Sequence, residues 1–242
     1  MEATSTPRRE RICLFDTLRG FTIISMVLFH AAYDATYLFG FDIPWFHDPV
    51  AQNIWRCSIS WVFLLLAGWM TQLSRNNLKR AGIYGAAALT VFLTTSIANV
   101  DTPVSFGILF CMAASTLVYA LASPILDRVH PALGVGIALA LFALTYMLPE
   151  QRCDIEGLAW LGIPSTTFAS GDYYPLMPYG FLYMAGMYAA RLFARYSPEG
   201  YPAWMRRNWV PVLSSVGRAS LVIYLIHQPL LICLFMLITS AA

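Results

Sequence analysis

The 242-residue chain is 58 % hydrophobic and only 12 % charged, with a formal net charge of +2 and a mean hydropathy of +0.61. Soluble domains carry roughly 25 % charged residues, so this composition indicates a membrane protein. With no basic run and no interleaving of aromatic and basic residues, nothing calls for a nucleic-acid partner. Cys13, Cys57, Cys111, Cys153 and Cys233 show no CxxC or paired metal-ligand spacing, and His30, His47, His130 and His227 lie too far apart for a local metal motif. No metal is expected.

Arg8, Arg9 and Arg11 ahead of an apolar run imitate a signal peptide. Asp16 and Arg19 interrupt that run, and it continues beyond any plausible cleavage point, so it reads as an uncleaved first span. Spans need about 20 predominantly apolar residues, which places them at roughly 16–37, 54–73, 81–99, 105–126, 131–148, 176–195 and 219–240. The third is the least secure, because TTSIANV is mildly polar. The expected fold is therefore all-α: a polytopic helical membrane protein of about seven transmembrane helices. Residues 1–242 form a single domain, without internal repeats or long linkers.

Segments on one side of the seven spans, with the span edges, hold thirteen of the fifteen Lys and Arg residues, and the other side holds only Arg56 and Arg152. By the positive-inside rule the N-terminus is cytoplasmic and the C-terminus external.

The first span carries a polar stripe. Arg19 and His30 are eleven residues apart, which on a helix returns to within ~20° of the same face after a rise of ~16.5 Å. Asp34, four residues beyond His30, leans onto that face. Ionisable groups in hydrocarbon cost ~2.5–3.5 kcal/mol on insertion scales, so they usually face a protein interior and a function. Arg19 thus sits at the cytoplasmic edge, with His30 and Asp34 in the outer half. The first external loop adds His47 and Asp48, and the long loop 149–175 brings Asp172 to the mouth of the sixth span. His227 and Gln228 lie inside the seventh. Trp204, Arg206, Arg207 and Trp209 read as an interfacial anchor.

Four stretches, FDTLRGFTIISMVLFHAAYD, SFGILFCMAAS, SGDYYPLMPYGFLYMAGMYAAR and GRASLVIYLIHQPLL, resemble in order the bacterial members of the heparan-alpha-glucosaminide N-acetyltransferase catalytic-domain family. The spacing of Arg19 and His30 is also similar to the R-x10-H signature of the wider transmembrane acyltransferase group. The resemblance implies a membrane acetyltransferase that takes acetyl from cytosolic acetyl-CoA and delivers it to an amino sugar or envelope glycan on the external side of the cell membrane. The implied partners are the lipid bilayer, acetyl-CoA and that glycan acceptor, with a homodimer left open.

The family's catalytic histidine lies in the first external loop, where His47 is the counterpart by position, while the R-x10-H pattern points to His30. Both stand as catalytic candidates, as the base that takes a proton or as a transient acetyl acceptor. Asp34 is the third catalytic candidate, as the carboxylate that orients an imidazole. Arg19 is the candidate for the CoA phosphates, with His227 alongside the CoA, and Asp48 and Asp172 are candidate substrate contacts.

Blander roles compete. Arg19 also suits a snorkelling interfacial arginine paired with Asp16, and Asp16 suits the N-cap of the first span. His30 and His227 suit interhelical hydrogen bonds, Asp172 suits a cap on the sixth span, and His130 suits a solvated loop. Cys57 and Cys153 both fall on the external side, where a disulfide is chemically allowed. Two other functions fit the stripe: O-acylation of a polysaccharide by the same signature, or a transporter or non-catalytic subunit. The missing repeats count against the transporter.

Overall fold

The computed structural model describes residues 11–240. Nine α-helices occur among them, labelled α1 (Cys13–Tyr33), α2 (Pro49–Trp69), α3 (Asn77–Ala98), α4 (Ile108–Leu126), α5 (Pro131–Thr145), α6 (Leu176–Tyr196), α7 (Ala203–Arg206), α8 (Pro211–Arg218) and α9 (Ser220–Ser240). No strand occurs among the described residues. The chain is a multi-pass membrane protein: six of its helical segments are long and apolar enough to cross a bilayer, namely Cys13–Leu38, Pro49–Gln72, Asn77–Ala98, Ile108–Leu126, Pro131–Glu150 and Ser220–Ser240. The doubtful third span is a continuous helix, started by Asn76, whose side chain accepts from the Lys79 N–H.

The expected sixth span, 176–195, is also helical, but it is not among those six. The reason lies in its packing. Half of α6 is buried by protein, including Tyr179, Leu182, Tyr183, Met187 and Tyr188. A helix covered by neighbouring helices needs little lipid-facing apolarity, so its composition falls short of the others.

The chain divides into two compact units, 11–59 with 197–240, and Ser60–Tyr196. In the first, α1 buries Phe15, Asp16, Ile23 and Met26 on one face and leaves Phe21 and Leu28 exposed on the other. That is the 3.6-residue periodicity of a helix with one protein face and one lipid face. A π-helical turn, Asp34–Leu38, extends α1, with the Phe39 N–H donating to the Asp34 carbonyl at 3.0 Å. The amphipathic helix α8 crosses α1 where two glycines meet. A Cβ on Gly20 would overlap the Leu213 carbonyl, and one on Gly217 would overlap the Asp16 carbonyl. Backbones this close require residues without side chains. The segment read as an interfacial anchor therefore also docks a helix onto α1, while Trp204 and Trp209 stay exposed.

The second unit is built around α6. Tyr183 shares a 2.6 Å hydrogen bond with Thr116 of α4, and Tyr188 donates to the Leu126 carbonyl at 3.1 Å. Gly68 meets the Tyr183 carbonyl, Gly186 meets the Leu65 carbonyl, and Gly134 of α5 lies against the Tyr188 ring. Small residues thus set the α2–α6 and α5–α6 spacings, as expected where lipid supplies no hydrophobic drive between helices. In loop 146–175, Glu156 accepts from Thr167 and Ser165, whose hydroxyls hold its carboxyl below the ordinary range. The Tyr173 hydroxyl donates to the Ala159 carbonyl at 2.7 Å, and burial pushes its pKa up to about 12 against a smaller opposing pull from Arg152.

Candidate active site

At the start of α1, Asp16 is buried and gathers two arginines. Arg11 Nε lies 2.5 Å from Oδ2, and Arg19 Nη1 lies 3.5 Å from Oδ1. Asp16 is not the N-cap expected from the sequence. The helix begins one turn earlier, with Ile12 at the cap position and no side-chain cap bond. A carboxylate inside the first turn still suits the positive end of the helix dipole. Its main role is to hold Arg19, a quarter exposed, in place at this end of the helix.

Three turns and more beyond Arg19 a second polar group forms against α9. Asp34 is fully buried. Gln228 Nε2 donates to both of its carboxylate oxygens, at 2.8 and 2.9 Å. The amide nitrogen thus faces Asp34, and the amide oxygen points elsewhere. That oxygen, Gln228 Oε1, is buried and has no hydrogen-bond partner.

The adjacent His227 is 8 % exposed and its ring centroid lies 5.0 Å from that of His30. His227 Nδ1 is 2.6 Å from the Tyr224 carbonyl. A carbonyl cannot donate, so Nδ1 carries the proton and Nε2 presents a lone pair. Nε2 is likewise buried without a partner. Pro229 follows inside α9. It has no N–H to give the Leu225 carbonyl, which loosens the backbone beside the two side chains.

His30, Asp34 and His227 are thus brought together, and Gln228 completes the group. The sequence showed Gln228 as a polar residue beside His227 in an apolar span, but gave no sign that it faces Asp34.

His47 has different surroundings. It ends a short 3-10 turn, Pro44–His47, and its side chain is 51 % exposed. Nε2 lies 3.7 Å from Asp42, and the ring meets Tyr37 edge-on at 6.0 Å. Between His47 and His30 runs a chain of ring contacts through Tyr37, Phe46 and Phe29. Trp55 closes it from α2, donating to Ser25 at 2.8 Å and packing on Phe29. Aromatic packing thus fixes the His47 turn against the His30 end of α1.

Asp48 accepts from the Val50 N–H at 2.9 Å and so caps α2. Asp172 belongs to the second unit and corrects the expectation of a cap on the sixth span. Its Oδ2 lies 3.4 Å from the Ile108 N–H, at the start of α4. The loop folds back there through Ser105 to Ser170 and Tyr174 to Phe106 bonds. Each cysteine carries a thiol rather than a disulfide. Among the described residues no His, Cys, Asp and Glu cluster could hold a metal ion.

An all-helical, multi-pass membrane protein with buried histidine, carboxylate and amide side chains between two of its apolar helices is the class these observations define. The family model described as heparan-alpha-glucosaminide N-acetyltransferase, catalytic, matches residues 11–229. The chain belongs to that family, and the match runs through both compact units. No curated protein and no solved structure matched in the same comparisons. Membership points to acyl transfer at a membrane as the activity.

Proposed function

We propose that the protein moves acetyl from cytosolic acetyl-CoA to an amino sugar or envelope glycan on the external side of the cell membrane, and that the reaction takes place beside His30. The supporting observation is the convergence of His30, Asp34, His227 and Gln228 within apolar helices of a chain that belongs to this family. Buried polar groups of this kind are costly in a bilayer and mark functional sites. The asymmetry of Lys and Arg between loops supports the sidedness.

Acetyl-CoA is consumed as a substrate. Arg19, steadied by Asp16, offers planar N–H donors to its phosphates, and the length of α1 between Arg19 and His30, ~16.5 Å, suits an extended pantetheine arm. At the other end an amine nitrogen attacks the acetyl carbonyl. A C–N bond forms, the C–S bond breaks, and the electron pair leaves on sulfur, which ends protonated. An imidazole takes the amine proton or carries the acetyl group in between. His30 is the better placed of the two candidates, being packed against His227 near Asp34, whereas His47 stands in an exposed turn. Asp34 acts through the Gln228 amide, and Asp48 and Asp172 are acceptor contacts at the loop ends of their helices.

The test is acetyl-CoA binding to the purified protein in detergent, with Arg19→Ala alongside, followed by transfer of labelled acetyl to glucosamine. Saturable binding that weakens in the variant, with N-acetylglucosamine as product, is expected. Absence of binding by the wild-type protein overturns the proposal, and acetylation of hydroxyls alone would make it an O-acyltransferase.

A further inference from the structure

We infer that His227 is the catalytic base that takes the proton from the acceptor amine through Nε2, and that Gln228 Oε1 accepts the amine's second hydrogen. This rests on the proposed acetyl transfer and moves His227 from the CoA path to the reacting nitrogen.

Three observations carry it. The Tyr224 carbonyl, 2.6 Å from Nδ1, fixes the tautomer, so the basic lone pair lies on Nε2. That is the arrangement a base needs: one nitrogen anchored, the other aimed at the substrate. Nε2 has no partner although His227 is buried, and an acceptor left unmet inside protein is unfavourable unless something donates to it. The next residue repeats the pattern, because Asp34 draws the Gln228 amide nitrogen and leaves Oε1 bare.

His227 meets His30 and Gln228 meets Asp34, so both residues face α1 and their two unmet acceptors suit a ligand with more than one hydrogen to give. A primary amine has two, one for each atom, and a hydroxyl has one. Filling both sites would also hold the nitrogen in a single orientation toward the acetyl carbon. Whether the nitrogen attacks the thioester itself or an acetyl carried on His30, whose ring adjoins His227, the proton departs to the same atom. The balance is one N–H bond and one acyl bond lost (C–S of the thioester, or C–N of an acetyl carried on His30), one C–N bond gained to the acceptor, and the proton passed through His227 Nε2 to the leaving sulfur or nitrogen, or to solvent.

The experiment compares His227→Asn and His227→Gln with the wild-type protein. The Asn amide can still donate to the Tyr224 carbonyl but has no base at the Nε2 position. Three quantities are read: acetyl-CoA binding, acetyl transfer to glucosamine, and transfer to O-methylhydroxylamine, a weakly basic amine that is already unprotonated at neutral pH. Expected are near-wild-type acetyl-CoA binding and a fall of about 100-fold or more in transfer to glucosamine, with a much smaller fall for O-methylhydroxylamine. An equal fall for both amines, or retained transfer to glucosamine, overturns the assignment while leaving the transfer reaction standing. Loss of acetyl-CoA binding in both variants also overturns it, since His227 would then serve the donor or the fold. A wild-type protein that acetylates neither amine removes the proposed function and this inference together.

Discussion

Gln228 and Asp34, 194 positions apart in the chain, meet through one amide nitrogen set 2.8 and 2.9 Å from the two carboxylate oxygens. This contact joins α9 to the end of α1 and decides which atoms of the site are left to bind something else. It also makes Gln228 an energetic keystone. Gln228→Leu removes two N–H contacts from a fully buried carboxyl group, and losing hydrogen bonds to such a group costs ~1.5–3 kcal/mol. Thermal unfolding in detergent should show a clear drop in midpoint for Gln228→Leu. A variant as stable as wild type would mean that other groups satisfy Asp34.

The two histidine candidates differ in burial, and their variants should differ in effect. His30→Ala, which removes the imidazole packed on His227 and any acetyl it carries, is expected to lower acetyl transfer by about 100-fold or more, with acetyl-CoA binding within a few-fold of wild type. His47→Ala, at a half-exposed site, is expected to change turnover less than about ten-fold. Reversal of that order in a steady-state assay would move the chemistry to the loop.

The Gly20–Gly217 crossing tolerates no side chain, because each Cβ would overlap a carbonyl on the partner helix. Backbone carbonyls cannot rotate away as side chains do, so α1 and α8 must separate. Gly20→Val should cost ~3 kcal/mol or more and show as lost yield of monodisperse protein. Gly82→Val, where nothing lies within 4 Å of the added carbon, is the matched control and should purify normally.

Tyr173 links stability to alkaline pH. Its folded pKa, about 12, lies above the ordinary value near 10, because the half-buried phenol is protected from ionising and donates to Ala159. A raised folded value contributes stability that is complete below the unfolded pKa and is lost as pH climbs from ~10 toward ~12, where the unfolded chain releases its proton first. Unfolding midpoints followed across that window should fall more for wild type than for Tyr173→Phe. Parallel curves would mean that the hydroxyl is not linked to folding.

Asp48 at the start of α2 offers a smaller effect. Removing the oxygen that accepts from Val50 in Asp48→Ala should cost ~1 kcal/mol of stability, while Asp48→Asn keeps most of it. Because Asp48 is also proposed as an acceptor contact, Asp48→Asn should lower acetyl transfer at near-wild-type stability; unchanged transfer would leave the carboxylate its capping role alone.

Composition and hydropathy alone set the class of molecule and much of its layout. Apolar runs broken by loops are enough to mark spans, because hydrocarbon admits only helices whose backbone bonds are met internally. Arg19 and His30 shared a face once α1 was known to be a helix, since eleven residues nearly close three turns. Polar residues inside those runs, His30, Asp34, His227 and Gln228, were visible as costly exceptions. Their meeting was not visible. Hydropathy says which residues leave water, but not which helix faces which, and the Asp34–Gln228 and His30–His227 contacts depend on α9 lying along the end of α1. The same limit hid the helix that Asp172 caps, since a loop can return to α4 as easily as lead into α6. It hid the burial of α6 as well, where packing against protein relieved the need for an apolar surface. Periodicity is a property of each helix alone. Hydrogen-bond direction, which turns Gln228 Oε1 and His227 Nε2 into open acceptors, exists only once the partner atoms are in place.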